Sequence, residues 1–122
     1  MERLSATLIE ECKARLLSAK SETLNRFGIN RADYENRDDR GDEVDQTMRT
    51  LAENQYLTNQ NRLRLQLMEI ESALARIETG TFGFCEETAE PIEAQRLLAI
   101  PWTRLSIEGA EMRESPHSRF GR

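Results

Sequence analysis

The sequence predicts a mainly α protein, a long antiparallel coiled-coil hairpin with a small C-terminal lobe, and three observations predict it. From Val44 to Glu78, 35 residues pass without Pro or Gly, and seven of them keep one alternation of steps: Tyr56, Gln60, Leu63, Leu67, Ile70, Leu74 and Ile77. An earlier stretch, Ser5 to Asn25, is equally free of breakers and carries its own seam at Ile9, Cys12, Leu16, Ala19 and Thr23. Steps of three and four mark a stripe along one helix face. After Gly80 the period gives way to short runs rich in Phe, Pro and Gly. The expected organisation is therefore a hairpin over residues 1–79 with its tip near 41–47, a lobe over 80–114, and a disordered tail over 115–122.

The first helix weakens at Thr23, and Phe27-Gly28 offers a stop, with irregular continuation as the alternative. Asn30 to Asp42 is dense in Arg, Asp and Asn, its polar run broken only by Ala32, Tyr34 and Gly41, and reads as a connector. The second helix would be about 50 Å long at 1.5 Å per residue and would end at Gly80, well suited to a left-handed cap. Val44, Met48 and Leu51 lie one residue out of phase with the main seam, which implies a stutter. A helix of this length exposes its stripe unless the first helix covers it, hence the antiparallel hairpin. At its start, Asp42 reads as an N-cap, with Glu43 and Asp45 in the first turn favourable to the helix dipole. In the lobe, the expected core is Phe82, Phe84, Ile92, Leu97, Ile100, Trp102, Leu105, Ile107 and Met112, and a last helix runs from Ser106, its N-cap, to Glu114.

Of the 122 residues 32% are charged, 38% are apolar and only 6% are aromatic, which suits an elongated helical protein with a narrow seam. A net charge of -5 argues against wrapping phosphate backbones, which needs clustered Lys and Arg, so a protein partner is expected and specific DNA binding is not. No apolar run approaches the roughly 18 residues of a membrane span. The expectation is a cytoplasmic monomer without membrane contact. Cys12 and Cys85 lie in different segments, with no spacing that implies a disulfide framework. Cys12 reads as a small buried side chain. No Cys/His pair, Ser/His/Asp set or phosphate loop is present, and the lone His117 carries no site, so the chain is not expected to be an enzyme.

Within the lobe, Arg96-Leu97, Ala99 and Pro101 form an Arg-Leu-x-Ala-x-Pro spine, preceded by Cys85. That spine resembles the C-terminal lobe of the DksA/TraR family of RNA polymerase-binding proteins, in which it is flanked by two Cys-x-x-Cys pairs that hold zinc. Ungapped alignment on the spine places the four family cysteines at Cys85, Thr88, Ser106 and Gly109. Hydroxyls do not replace thiolates in a tetrahedral zinc site, and glycine has no side chain. Zinc is therefore expected to be absent, and Cys85 is a relic of the metal site. In the same register, Asp42, Asp45 and Thr47 meet the family's Asp-x-x-Asp-x-Ala tip motif, with Thr47 in place of alanine, and Asn59, Arg62 and Arg64 meet its Asn-x-x-Arg-x-Arg pattern.

The resemblance implies a hairpin that enters the secondary channel of RNA polymerase. Asp42 and Asp45, with Thr47 beside them, would act near the active centre to alter initiation, and Arg62 and Arg64 would anchor the hairpin to the channel rim. The structural reading of the two arginines is an exposed helix face. The family's role in the stringent response uses basic side chains at a ppGpp site shared with polymerase. Their counterparts here are Glu69, Ile100 and Ala110, so ppGpp synergy is expected to be reduced or absent. The alternative is a GreA-like factor that stimulates transcript cleavage, its paired tip carboxylates holding a second Mg²⁺. A zinc-ribbon-like DNA module and a plain coiled-coil adaptor are the remaining readings.

Overall fold

The computed structural model describes residues 4–37 and 45–115. Helices make up 74% of them, with no strand among the described residues, in the order α1 (Ala6–Glu35), α2 (Gln46–Thr79), α3 (Ala94–Ala99) and α4 (Ile107–Glu114). The expected class, mainly α with a long helical hairpin and a small C-terminal lobe, is the one observed. The chain divides into two compact units, residues 19–68 and residues 1–18 with 69–122.

In the first of these, α1 and α2 pair antiparallel. Asn30 faces Gln60 and Tyr34 faces Tyr56: a step of four residues forward on α1 is a step of four back on α2. α1 runs through Gly28 to Glu35, so the residues from Asn30 to Glu35, expected in a connector, are helical. Their period was hidden because the seam turns polar there: Thr23, Phe27, Asn30 and Tyr34 continue the same steps of four and three, and all four are buried or half-buried. The outward face is charged and held by an Arg31–Glu35 pair at 3.2 Å.

At the N-terminal end of α2 the structure also corrects the cap. α2 opens at Gln46, and Asp45 is its N-cap: the Asp45 backbone carbonyl accepts from the Arg49 amide at 3.1 Å, and Asp45 Oδ1 accepts from the Thr47 amide at 3.2 Å. An Asp whose side chain satisfies a first-turn amide is the residue such a position selects. Asp42, Glu43 and Val44 lie outside the described residues, as do the tip's remaining positions from 38 onward and the tail from 116. Met48 and Leu51 are 59% and 50% exposed, so the out-of-phase apolar pair does not enter the seam.

The second unit holds the apolar core. Cys12 and Leu16 of α1, Ile70 and Ala73 of α2, and Phe82, Cys85, Ile92 and Leu97 of the lobe are all buried. Cys12 Sγ lies 3.7 Å from the Leu97 carbonyl, and Arg15 Nη1 donates to the Leu98 carbonyl at 2.8 Å. α2 stops as its sequence demands: the Gly80 amide donates to Ile77 and the Thr81 amide to Arg76, with Gly80 at φ 80°. That is the Schellman arrangement, open to glycine because it lacks Cβ. The lobe then turns back on itself, Cys85 N donating to Glu90 O at 2.8 Å and Ile92 N to Gly83 O at 2.7 Å. Two expected core residues are not core: Ile107 and Met112 are 50% and 42% exposed. α4 turns instead its small face inward, through Gly109, and the buried Ser106 caps it by accepting from the Gly109 amide at 3.0 Å.

Candidate functional site

The spine residues have separate jobs in the lobe. Leu97 is buried in its core and Pro101 is buried, Arg96 Nε donates to the Leu105 carbonyl at 2.7 Å, and Ala99 is exposed. Arg96 thereby holds the segment 103–106 against α3, and with it the start of α4. Fixed on one side by that segment and on the other by the turn at Cys85–Ala89, the four degenerate ligand positions come together. The Cys85 thiol is hydrogen-bonded to the hydroxyls and amides of Ser106 and Thr88, and a Cβ at Gly109 would overlap Cys85 Sγ. Burial pushes that thiol up, but the hydrogen bonds from Ser106 and Thr88 outweigh it and bring it to about 6. Cys12, without such donors, is shifted the other way by burial.

The turn itself is tight: Ala89 N donates to Cys85 O at 2.8 Å, with Ala89 at φ 64°. One thiol, two hydroxyls and a bare Cα do not fit a structural zinc ion, whose ligands are thiolates or imidazoles. The overlap at Gly109 adds that the fourth position leaves no room for a side chain beside the thiol. Among the described residues no group of three or more His, Cys, Asp or Glu is arranged to hold a metal.

Beside this cluster lies an ion-pair network that the sequence does not announce. Arg104 reaches Glu69 Oε1 at 3.1 Å, Glu86 Oε2 at 2.9 Å and Ser72 Oγ at 2.8 Å, tying the lobe to α2. Arg113 of α4 pairs with Glu86 and Glu87, and Arg76 donates to Ser72 at 2.9 Å while its Nη2 is buried without a partner. The Arg104 guanidinium holds the Glu86 carboxyl below its ordinary range, and burial lowers Arg76. These side chains are isolated charges in the sequence, and no period or motif marks them. Glu69 is engaged by Arg104 rather than free.

Of the remaining expected site residues, Asp42 lies outside the described residues, Asp45 caps α2, and Thr47, Arg62 and Arg64 lie on it within residues 19–68. From Asp45 to Leu51 every side chain is exposed, which leaves the Asp45 carboxylate and Thr47 open to a partner. Arg62 is exposed, lines a shallow polar groove with Asn54, Gln55, Thr58 and Asn59, and has no hydrogen-bond or ion-pair partner among the described residues. Arg64 contacts Asn61 at 3.4 Å.

A mainly helical chain with a long hairpin and a compact lobe around four clustered ligand positions defines the class of degenerate C4-finger hairpin proteins, and comparison with known proteins agrees. The family described as prokaryotic dksA/traR C4-type zinc finger matches residues 80–114. An uncharacterized protein of Aquifex aeolicus (strain VF5) is 37% identical over 114 residues, 88% of this chain and 77% of that protein. The RNA polymerase-binding transcription factor DksA of Caulobacter vibrioides (strain NA1000 / CB15N) is 43% identical over 58 residues, 48% of this chain but only 41% of its own length. The structure of transcription factor DksA2 from Pseudomonas aeruginosa superposes with a TM-score of 0.81 at 29% identity, covering 90% of this chain and 85% of that one. The chain belongs to the DksA/TraR family.

Proposed function

We propose that this protein is a transcription regulator that binds RNA polymerase through its secondary channel and alters initiation from the N-terminal end of α2. The observation that carries the proposal is the state of α2 itself. Its N-cap carboxylate, Asp45, and Thr47 are exposed, and further along the same helix Arg62 is exposed and unpaired among the described residues. An exposed carboxylate at the start of the helix and an unpaired guanidinium halfway along it are an arrangement for a protein partner with complementary charge. In this reading Asp45, with Asp42 beyond the described residues, acts on polymerase elements near the active centre, and Arg62 and Arg64 hold the channel rim. The protein regulates and catalyses nothing itself. It acts as a cytoplasmic monomer without sequence-specific DNA contact, and no described helix is long and apolar enough to cross a membrane.

Two further parts of the proposal concern small ligands. The lobe folds without zinc, because its donor set cannot replace four thiolates. Synergy with ppGpp is weak or absent, because Glu69 stands where the family has a cation and Arg104 beside it is already committed to Glu69 and Glu86.

Core RNA polymerase should capture the protein, and blocking the secondary channel should abolish capture. Asp42→Asn with Asp45→Asn should remove the promoter effect while capture persists. Asparagine caps a helix as well as aspartate does, so this pair removes charge and spares α2. Retention of the full effect in that variant would mean that the tip mechanism is wrong.

A further inference from the structure

We infer that Asn30, Tyr34, Tyr56 and Gln60 form a register lock that sets how far α2 is advanced along α1, and thereby positions Asp45 and Thr47. The four side chains occupy consecutive seam positions, two per helix. Gln60 is only 7% exposed, yet its amide is satisfied: Asn30 Nδ2 donates to Gln60 Oε1 at 2.9 Å, and Gln60 Nε2 donates to the Tyr56 hydroxyl at 3.3 Å. Tyr56 stacks on Tyr34 with ring centroids 4.3 Å apart and an interplanar angle of 15°, and Arg37 lies over the Tyr34 ring at 4.1 Å. Hydrogen bond, stack and cation–π contact thus form one continuous layer across the hairpin.

An apolar seam does not by itself choose one register. Leucine packs nearly as well against the leucine one heptad away, and such a slip moves one helix along the other by about 10 Å at 1.5 Å per residue. A buried amide behaves differently, because it has partners in a single register and loses them in every other. Here the amide pair is backed by the stacked rings, which also meet in one register only.

The position of this layer gives it a functional consequence, which rests on reading the N-terminal end of α2 as the polymerase-contacting end. Beyond Tyr56 toward that end, every α2 side chain from Gln46 to Gln55 is exposed except half-buried Ala52. The Tyr34–Tyr56 stack thus holds α2 to α1 eleven residues before the exposed Asp45. Whatever fixes the layer fixes where the Asp45 carboxylate stands. Asn30, Tyr34, Tyr56 and Gln60 are positioning residues, since none is placed at the contact itself.

The test replaces the amide pair by Asn30→Leu with Gln60→Leu, which keeps volume and seam packing. Spin labels at the exposed positions of Ala32→Cys and Thr58→Cys read the register directly, with or without polymerase. The parent should give one narrow interhelical distance. The leucine pair should give a broadened or second distance at an unchanged or higher melting temperature. A second variant, Tyr34→Leu with Tyr56→Leu, should broaden it too, and the swapped pair Asn30→Gln with Gln60→Asn should restore the narrow distance. In transcription the leucine pair should still be captured by core polymerase but lose about tenfold or more of its promoter effect at saturation, because a slipped helix carries Asp45 about 10 Å from its place and even smaller misplacements are costly. A single narrow distance in both leucine variants would overturn the lock. A broadened distance with an undiminished promoter effect would overturn its positioning role. Failure of the parent to affect polymerase would strike the functional reading instead and leave the distance result standing.

Discussion

At the scale of single residues, Cys85 shows two opposed effects whose balance can be measured. Burial alone would push the thiol up, as it does at Cys12, but hydroxyl and amide donors from Ser106 and Thr88 bring it down from 9.0 to about 6. The folded value lies below the unfolded one. The resulting stability is therefore full above about pH 9 and is lost as pH falls through about 6. We expect the thiolate absorbance of the native protein to titrate near 6, and Ser106→Ala to move that midpoint upward. Cys85→Ser should flatten the dependence of unfolding free energy on pH in this window. A native midpoint at the ordinary thiol value would show that the donors do not face the sulfur. That Cys85, Thr88, Ser106 and Gly109 come together was legible from the Arg96-Leu97 spine. That Ser106 and Thr88 turn into donors to the Cys85 thiol was not, because a hydroxyl's partner is fixed by tertiary placement and not by spacing.

At the scale of elements, α4 depends on a missing side chain. Gly109 sits in its first turn, where alanine would ordinarily be the better helix former by about 1 kcal/mol. Here an added Cβ overlaps Cys85 Sγ and comes within 3.4 Å of Ser106 Oγ and Glu87 Cβ. Both the sulfur and the hydroxyl are held by hydrogen bonds, so neither yields cheaply. Gly109→Ala should therefore destabilise the protein, by about 1–3 kcal/mol as overpacked sites do, as read by urea unfolding. An increase in stability would mean the thiol is free to move. The helices themselves were legible because their seams are apolar and long, and Gly80 ended α2 as expected. The last turns of α1 were not legible, since Asn30 and Tyr34 carry the seam period in polar form and resemble a loop until Gln60 and Tyr56 are seen opposite them. Asp45 rather than Asp42 caps α2 for a similar reason: three nearby acidic residues all qualify chemically, and only the backbone chooses. Ile107 and Met112 were misread because α4 packs through its small residues.

At the scale of the whole molecule, burial is unevenly shared. Among the described residues, every buried apolar side chain, from Cys12 and Leu16 to Phe82 and Leu97, belongs to residues 1–18 and 69–122, whereas the buried side chains of residues 19–68 are Thr23 and Gln60. Local opening free energy follows buried apolar contact, so amides of α1 and α2 between residues 19 and 68 should exchange faster than those around Leu16, Ile70 and Leu97. The same distribution supports the proposal that the lobe folds without zinc, although a lobe below roughly 40 residues ordinarily calls for a metal or a disulfide. It borrows Cys12 and Leu16 from α1 and Ile70 and Ala73 from α2, and Arg104 ties it to Glu69 and Ser72. Native-state hydrogen exchange with and without EDTA tests this directly. The amides of Cys85 and Ile92, bonded to Glu90 and Gly83 across the turn, should keep their protection in chelator. Leu16→Ala, which empties the borrowed core at a cost of about 2–5 kcal/mol, should reduce that protection although it lies outside the lobe. Selective loss of lobe protection in EDTA would show that a metal, and not the borrowed core, holds the lobe together.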